Sequence, residues 1–255
     1  MLSLVTGASS GIGLQYATQL IRDYHSEVLA VDLKECPLEG VKTLIMDLSQ
    51  PDAAEQIYDY CKQHQLQVDV LINNAGVFFF NPLIETPMKR IELTIQLHVM
   101  TVAKLCRLFA QDMASRTANI KGYKNKGYIL NMSSMSSWMA MPGIQTYNAT
   151  KAFIYNFSKS LWYEMKPQGV TVFVMAPGLV CTPLVGLPPN LLKLAERLTV
   201  GISPERLVKI ALRKLFKGKQ ESTPGFLNWL STPLLKHTPD WLLFLAQKKL
   251  RPFMK

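Results

Sequence analysis

The stretch TGASSGIG, Thr6–Gly13, decides the fold of this chain. It directly follows a short apolar run, Leu2–Thr6, and opens a segment whose apolar residues recur at helical spacing. Its glycines, Gly7, Gly11 and Gly13, allow a tight turn and a close approach of the backbone to a pyrophosphate at a helix N-terminus, where free N–H groups favour anions. This order predicts a strand–turn–helix unit that binds a dinucleotide. A glycine-rich turn without a ligand is the alternative.

The same alternation of apolar runs and helical segments continues over the first 180 residues. The predicted helices are Leu14–Asp23, Ala53–His64 and Met88–Met113. The predicted strands are Leu2–Thr6, Glu27–Asp32, Lys42–Asp47, Val68–Asn73, Gly127–Ser133 and Val170–Ala176. Continuous apolar strands separated by amphipathic helices predict a single-domain α/β fold, a doubly wound, Rossmann-like parallel sheet with helices on both faces. Residues 1–183 form the predicted core, and residues 184–255 a helical C-terminal extension of the same domain.

The composition is that of a globular protein. With 255 residues, 48% of them hydrophobic, the chain can bury a large core. It shows no signal peptide and no apolar run near the ~20 residues that a membrane-spanning helix needs. No paired metal-ligand motif is present, and the isolated cysteines predict reduced thiols in a cytoplasmic setting: Cys36, Cys61, Cys106 and Cys181.

Asp32 indicates which dinucleotide binds. It ends the second predicted strand, about twenty residues beyond the glycine turn, where a carboxylate accepts hydrogen bonds from ribose hydroxyls and repels a 2′-phosphate. We therefore expect NAD(H) to be preferred. Lys34 lies nearby and softens the repulsion, so NADP(H) is the alternative, and a plain surface carboxylate at a strand end is the third reading.

Four further motifs follow in order along the chain: Asp47 in MDLS, NNAG at Asn73–Gly76, YNATK at Tyr147–Lys151 and PGLVCT at Pro177–Thr182. With the glycine turn, they resemble the short-chain dehydrogenase/reductase family from about Leu2 to Pro183. The resemblance implies an oxidoreductase that transfers hydride between a nicotinamide and a carbonyl or hydroxyl carbon. It implies these cofactor contacts: Gly7, Ser9, Ser10, Gly11, Ile12, Gly13, Asp32, Asp47, Leu48, Asn74, Ala75, Gly76, Tyr147, Lys151, Pro177, Gly178, Val180 and Thr182.

The resemblance also names the catalytic residues. Tyr147 and Lys151 match the family's Tyr-x-x-x-Lys pair, and Ser134, thirteen residues upstream of Tyr147, matches its serine. A lysine one helical turn from a tyrosine stabilises the phenolate, so we expect a lowered tyrosine pKa. Tyr147 would then exchange a proton with the substrate oxygen, which Ser134 would hold. Ser133 is out of register, with its side chain expected on the opposite side of the strand, and the other nearby serines are read as turn-formers.

His98 departs from the family pattern, which usually has asparagine at this place in the long helix. A lone histidine in an apolar helix is either a satisfied core residue or, here, part of a proton relay to Lys151. Both readings stay open. A non-catalytic dinucleotide-binding regulator or membrane-docked scaffold with the same fold is the rival to an enzyme, although the intact Ser134–Tyr147–Lys151 set argues against it.

The C-terminal region carries most of the net charge. From Leu187 onward the chain has a charge of +9, out of +10 overall. Two basic helices are predicted, one capped by Ser203 and one by Thr238. Three readings stay open: a basic solvated face with an apolar lid over the substrate cleft, a peripheral membrane contact, and binding of an acidic carrier or of nucleotide phosphates on the substrate. Nucleic-acid binding is not expected. The leucine-rich stretch Leu184–Val200 predicts a hydrophobic substrate, a 3-oxoacyl chain or a steroid ketone, and the family resemblance implies a homodimer or tetramer.

Overall fold

The computed structural model describes residues 1–185, 188, 190, 193, 196–197, 201–225 and 238–251. Its strands are β1 Leu2–Thr6, β2 Glu27–Asp32, β3 Lys42–Ile45, β4 Val68–Asn73, β5 Gly127–Met132, β6 Val170–Met175, β7 Leu179–Val180, β8 Gly201–Ile202 and β9 Glu221–Ser222. Its helices of eight or more residues are α1 Gly11–Tyr24, α2 Ala53–Gln63, α3 Met88–Ile95, α4 Thr101–Ala114, α5 Gln145–Met165, α6 Pro204–Phe216 and α7 Asp240–Leu250.

Within the described residues, seven strands form one parallel sheet in the order β3-β2-β1-β4-β5-β6-β9. Successive side chains of a strand point to opposite faces, and here both faces are covered. Helices α2, α4 and α5 pack on one face and α1 and α6 on the other, each against its own buried cluster. The doubly wound α/β fold predicted from the sequence is therefore confirmed.

The strand order places the ligand edge. Because the sheet is parallel, the carboxyl ends of β1, β4, β5 and β6 lie along one edge. The chain runs outward from β1 in both directions, through β2 on one side and β4 on the other. In open α/β sheets ligands bind at such a point of reversal, outside the carboxyl ends of the strands.

The long helix predicted over Met88–Met113 is interrupted. A π-helical turn, Gln96–Met100, separates α3 from α4 and contains His98. Such turns are frequent at functional sites. In the described part of the chain Met88–Ala114 is also the one helix long and apolar enough to be a membrane-span candidate, but half of its most apolar window is buried. It packs on α2, α5 and the sheet, as a core helix does.

The C-terminal predictions hold in part. Ser203 caps α6 by accepting a hydrogen bond from the backbone N–H of Arg206 at 3.3 Å, as expected. Helix α7 starts one residue later than expected, so that Pro239 and not Thr238 takes the N-cap position. A two-residue strand, β9, extends the sheet where no last strand was foreseen. Most of the leucine-rich stretch Leu184–Val200 lies outside the described residues.

Candidate active site

The glycine turn has the geometry that a bound pyrophosphate needs. Gly7 and Gly11 adopt φ values of 71° and 55°, in the left-handed region that favours glycine. A Cβ on Gly13 would lie 1.9 Å from the carbonyl oxygen of Gly7, so the first turn of α1 can approach the loop only as glycine. The N-cap residue Ser10 makes no side-chain cap, which leaves the first N–H groups of α1 available to an anion.

Thr6 joins this turn to the segment after β4. Its hydroxyl oxygen accepts hydrogen bonds from the backbone N–H groups of Asn74 and Ala75, at 3.0 and 3.1 Å. The side-chain amide of Asn74 donates in return to the carbonyl oxygens of Thr6 and Gly7, at 3.0 and 3.3 Å. Two predicted cofactor segments therefore form one unit. The contact-residue set inferred from the sequence did not include Thr6, although its place at the end of β1 marked it.

Asp32, at the end of β2, contacts the glycine turn through its carboxylate. Its carboxylate accepts hydrogen bonds from the backbone N–H groups of Ser9, at 2.8 Å, and Leu33, at 2.7 Å. Each carboxylate oxygen keeps a further lone pair for a ligand hydroxyl. Asp47 is bound within its own loop, where hydrogen bonds from the side chains of Ser49 and Gln50 and from the Ser49 amide lower its pKa.

The segment Pro177–Thr182 lies next to both halves of the site. The carbonyl oxygen of Pro177 accepts a hydrogen bond from the amide of Met135 at 2.8 Å, directly after Ser134. At the other end, a Cβ on Gly11 would lie 3.8 Å from the methyl group of Thr182. Val180 is buried and Gly178 is partly exposed. These contacts place the predicted nicotinamide segment between the glycine turn and the β5 end.

Tyr147 and Lys151 share one face of α5, as their spacing predicts. The Lys151 side chain is buried, its ammonium donates to the carbonyl oxygen of Met132 at 2.9 Å, and burial lowers its pKa to about 8. Burial raises the pKa of Tyr147, and a hydrogen bond with the Ser134 side chain opposes that rise. The expected lowering of the tyrosine pKa is therefore not found: removing the phenol from water disfavours the phenolate by more than its neighbours recover.

The serines after β5 have separate roles. Ser134 Oγ accepts a hydrogen bond from the amide of Ser136 at 3.2 Å, which caps a short turn. Ser133 Oγ donates to the carbonyl oxygen of Lys151 at 2.7 Å, and Ser137 Oγ donates to that of Ser134 at 2.6 Å. Ser133 thus holds α5 against the end of β5.

His98 is fully buried and lies close to the Tyr147 ring. Its Nε2 lies 3.0 Å from the backbone nitrogen of Val77, and its Nδ1 lies 3.0 Å from Thr150 Oγ1. Burial and the charge of Lys151 hold its pKa well below the ordinary value. Both ring nitrogens are therefore engaged by protein groups.

A shallow recess opens beside Tyr147. It is lined by three segments: residues from Val77 to Leu83, from Thr86 to Thr94, and Gly143 to Tyr147. Its walls combine aromatic and aliphatic side chains with Asn81 and Arg90. The recess offers a mixed apolar and polar surface next to the phenol.

The sequence model of the short chain dehydrogenase family matches residues 2–187. The chain belongs to the short-chain dehydrogenase family. It is accordingly an oxidoreductase that acts on CH–OH or C=O groups with a nicotinamide cofactor, and the features described above accommodate that cofactor: a glycine turn with free N–H groups and a carboxylate at the end of β2.

The relatives of this chain include 3-oxoacyl-CoA reductases and a hydroxysteroid dehydrogenase. The human very-long-chain 3-oxoacyl-CoA reductase is 29% identical over 255 residues, which cover 94% of this chain and 76% of the relative. The mouse enzyme of that name is 31% identical over 260 residues, covering 95% and 77%. The mouse 17-beta-hydroxysteroid dehydrogenase type 3 is 31% identical over 198 residues, covering 71% of this chain and 61% of the relative.

Solved structures show the same fold. A 7beta-hydroxysteroid dehydrogenase superposes with a TM-score of 0.80 at 25% identity and covers 96% of each chain. A short-chain dehydrogenase from Sphingobium yanoikuyae in complex with NADPH gives 0.75 at 23% identity, covering 95% of this chain and 94% of that one. A 4-hydroxyisoleucine dehydrogenase complexed with NADH gives 0.71 at 22% identity, covering 88% and 97%.

Proposed function

We propose that this protein is a carbonyl reductase for hydrophobic 3-oxoacyl thioesters, with Tyr147 as its acid/base residue. The observation that carries the proposal is the meeting of the Ser134–Tyr147–Lys151 set with the glycine turn along one edge of the sheet. The substrate class is supported by the very-long-chain 3-oxoacyl-CoA reductases, because their similarity extends over nearly the whole chain. The similarity to the mouse steroid dehydrogenase covers less, so a steroid ketone is the second candidate.

The proposed chemistry assigns one task to each side chain. A bound nicotinamide supplies the hydride in reduction and accepts it in oxidation. Tyr147 donates its phenolic proton to the substrate oxygen as that oxygen gains charge, and takes the proton back in the reverse direction. Ser134 donates a hydrogen bond to the same oxygen. Lys151, charged below about pH 8, offsets the negative charge left on the phenolate.

The cofactor contacts inferred from the family are part of the proposal, with NAD(H) preferred. The first turn of α1 would hold the pyrophosphate and Asp32 the adenosine ribose. The negative charge of Asp32 lies at the end of β2, where a 2′-phosphate would be repelled. Lys151 would also bind the nicotinamide ribose.

Two surfaces support the proposed partners. On α5 the side chains of Phe153 and Tyr163 are exposed, in keeping with a homodimer, or a pair of dimers, that covers the long helices. On α7 Trp241 is 67% and Phe244 69% exposed, next to exposed lysines in the last turn. Exposed aromatic groups beside cations are typical of a peripheral contact with anionic membranes, which would place this cytoplasmic protein at a membrane surface.

The first experiment measures NADH and NADPH oxidation with 3-oxoacyl thioesters, steroid ketones and small aldehydes. We expect turnover of long 3-oxoacyl thioesters with NADH, lost in Tyr147→Phe. Turnover restricted to steroid ketones would move the assignment to the second candidate. Tight NADH binding with no turnover on any class would favour the non-catalytic regulator and overturn the proposal. Sedimentation with and without phosphatidylserine vesicles tests the membrane contact, with Trp241→Ser and Phe244→Ser expected to abolish it.

A further inference from the structure

His98 joins two parts of the active site that are distant in the chain. Its side chain is fully buried in the π-helical turn Gln96–Met100. One ring nitrogen contacts the segment that follows β4, and the other contacts α5. His98 therefore bridges the candidate cofactor residues Asn74–Gly76 and the helical turn that carries Tyr147.

The hydrogen bonds fix the position of the imidazole proton. The backbone N–H of Val77 can only donate, so Nε2 of His98 must be the acceptor of the 3.0 Å bond between them. Thr150 Oγ1 donates its own hydrogen to the carbonyl oxygen of Tyr147 at 2.9 Å, and so accepts from Nδ1 of His98 at 3.0 Å. Each of these three hydrogen bonds has one donor and one acceptor only if His98 is neutral with its proton on Nδ1.

A second proton would break this arrangement. It would place an N–H of the imidazolium against the N–H of Val77 in a fully buried site, and neither donor would have an acceptor. Lys151 adds a positive charge on the α5 side, which opposes protonation further. His98 therefore keeps one protonation state at working pH and has no free nitrogen with which to hold a relay water.

The bridge also positions the rings around the catalytic phenol. The Tyr147 ring meets the His98 ring edge-on at 5.8 Å between centroids and the Phe78 ring edge-on at 5.0 Å. Phe78 follows Val77, whose amide His98 binds. Gly76 completes the fit, because a Cβ there would lie 2.9 Å from Nε2. The His98 ring thus contacts the Tyr147 ring directly. It also fixes the backbone next to Phe78, the second ring that contacts Tyr147.

We propose that His98 is a positioning residue, locked as the neutral Nδ1–H tautomer, that couples the cofactor segment after β4 to the catalytic turn of α5. Its kinetic consequences rest on the proposed function of Tyr147, whereas its tautomer and its effect on cofactor binding do not. The proposal excludes the alternative in which His98 gains and loses a proton during turnover.

The first test needs no change in the site. ¹⁵N NMR of the full chain, labelled at histidine, distinguishes the two neutral tautomers and the imidazolium. We expect one histidine, identified as the one whose signals persist when His25, His64 and His237 are replaced by glutamine, to show a protonated Nδ1 and a bare Nε2 from about pH 5 to about pH 9. An imidazolium or a protonated Nε2 at neutral pH would overturn the proposal.

The second test separates the two bonds. Glutamine can place its amide oxygen near Nε2 and keep the Val77 bond, whereas asparagine can place its amide nitrogen near Nδ1 and keep the Thr150 bond. We expect His98→Gln to lower kcat about tenfold with cofactor Kd unchanged, and His98→Asn to raise cofactor Kd about tenfold. Thr150→Val should behave like His98→Gln, with kcat lowered about tenfold and cofactor Kd unchanged. The control is His64→Gln, on the exposed end of α2.

The pH profile decides between positioning and relay. Substitution of a positioning residue lowers kcat at every pH and leaves the apparent pKa values of the pH–kcat profile unchanged. Substitution of a relay group shifts one of these apparent pKa values or removes it. Wild-type kcat and cofactor Kd in both His98 variants, or a shifted apparent pKa in the pH–kcat profile, would contradict the proposal. Cofactor Kd, measured by NADH fluorescence without substrate, keeps the test valid if the substrate class is wrong. If neither variant folds, the NMR measurement decides, because its assignment leaves His98 unchanged.

Discussion

The ammonium nitrogen of Lys151 lies 5.6 Å from the centre of the Tyr147 ring, one helical turn further along α5. The same nitrogen donates to the carbonyl oxygen of Met132, the last residue of β5. Lys151 therefore fastens the turn of α5 that contains Tyr147 to the carboxyl edge of the sheet while it places a positive charge near the phenol. The position of this turn and the charge beside the Tyr147 ring thus both involve the Lys151 side chain.

Tyr147→Phe should abolish turnover and leave the cofactor site intact. The change removes one hydroxyl and keeps the ring contacts with Phe78 and His98. We expect kcat/KM to fall by about 10² to 10⁴, the usual contribution of a general acid. NADH Kd should stay within about twofold. Tyr163→Phe, an exposed phenol on the same helix, is the matched control for initial rates followed by NADH absorbance.

Lys151→Met should change the pH dependence of stability. Burial lowers the pKa of Lys151 from 10.5 to about 8. Below about pH 8 the lysine is charged in both states, and the folded state carries the cost of burying it. Between about pH 8 and 10.5 the folded state has lost the proton that the unfolded state keeps, so the free energy of unfolding rises with pH.

Methionine at position 151 has no ionisable group and cannot contribute this rise in the free energy of unfolding with pH. The difference in unfolding free energy between wild type and variant should therefore change by about 3 kcal/mol over that window. Urea unfolding at several pH values measures it, and the buried thiols and phenols that also titrate there are common to both proteins and cancel. A difference that stays constant with pH would mean that Lys151 keeps an ordinary pKa in the folded protein.

The sequence predicted the regular parts of the fold well because parallel strands buried on both faces leave continuous apolar runs. Strands β1, β2 and β4 have the predicted bounds. The π-helical turn at Gln96–Met100 was not predicted, since its apolar residues keep nearly the same spacing as an α-helix. The short strand β9 was not predicted for a different reason, because two residues are too few to show a periodic pattern.

The sequence motifs give candidate members of the site but not the contacts that these residues make. The motifs identified Ser134, Tyr147 and Lys151, which the fold brings to one edge of the sheet. The bonds of Ser133 to α5 and of His98 to Val77 depend on how distant elements pack, and no local pattern encodes them. The raised pKa of Tyr147 has the same origin, because burial is a property of the assembled fold.

Asp32→Asn should shift the cofactor preference. The change keeps the size of the side chain and removes its charge, and the one backbone N–H that loses an acceptor affects both cofactors equally. We expect the ratio of kcat/KM for NADPH to that for NADH to rise at least about tenfold. Asp23→Asn, an exposed carboxylate on α1, is the control. An unchanged ratio would show that Asp32 does not face the ribose.

Gly13→Ala should destabilise the protein more than a glycine substitution in open space. A methyl group at Gly13 would lie 1.9 Å from the carbonyl oxygen of Gly7, which belongs to rigid backbone and cannot turn aside. Such overpacking costs about 3 kcal/mol or more, against about 1 to 2 kcal/mol for alanine forced into a left-handed conformation. Gly122 provides the second case, with φ of 83° and no atom within 4 Å of an added Cβ. Urea unfolding of both alanine variants should therefore give a clearly lower midpoint for Gly13→Ala, with NADH affinity lost in that variant alone. Equal midpoints would mean that α1 can move away from the turn, and that the close approach of helix and loop is not required for the fold.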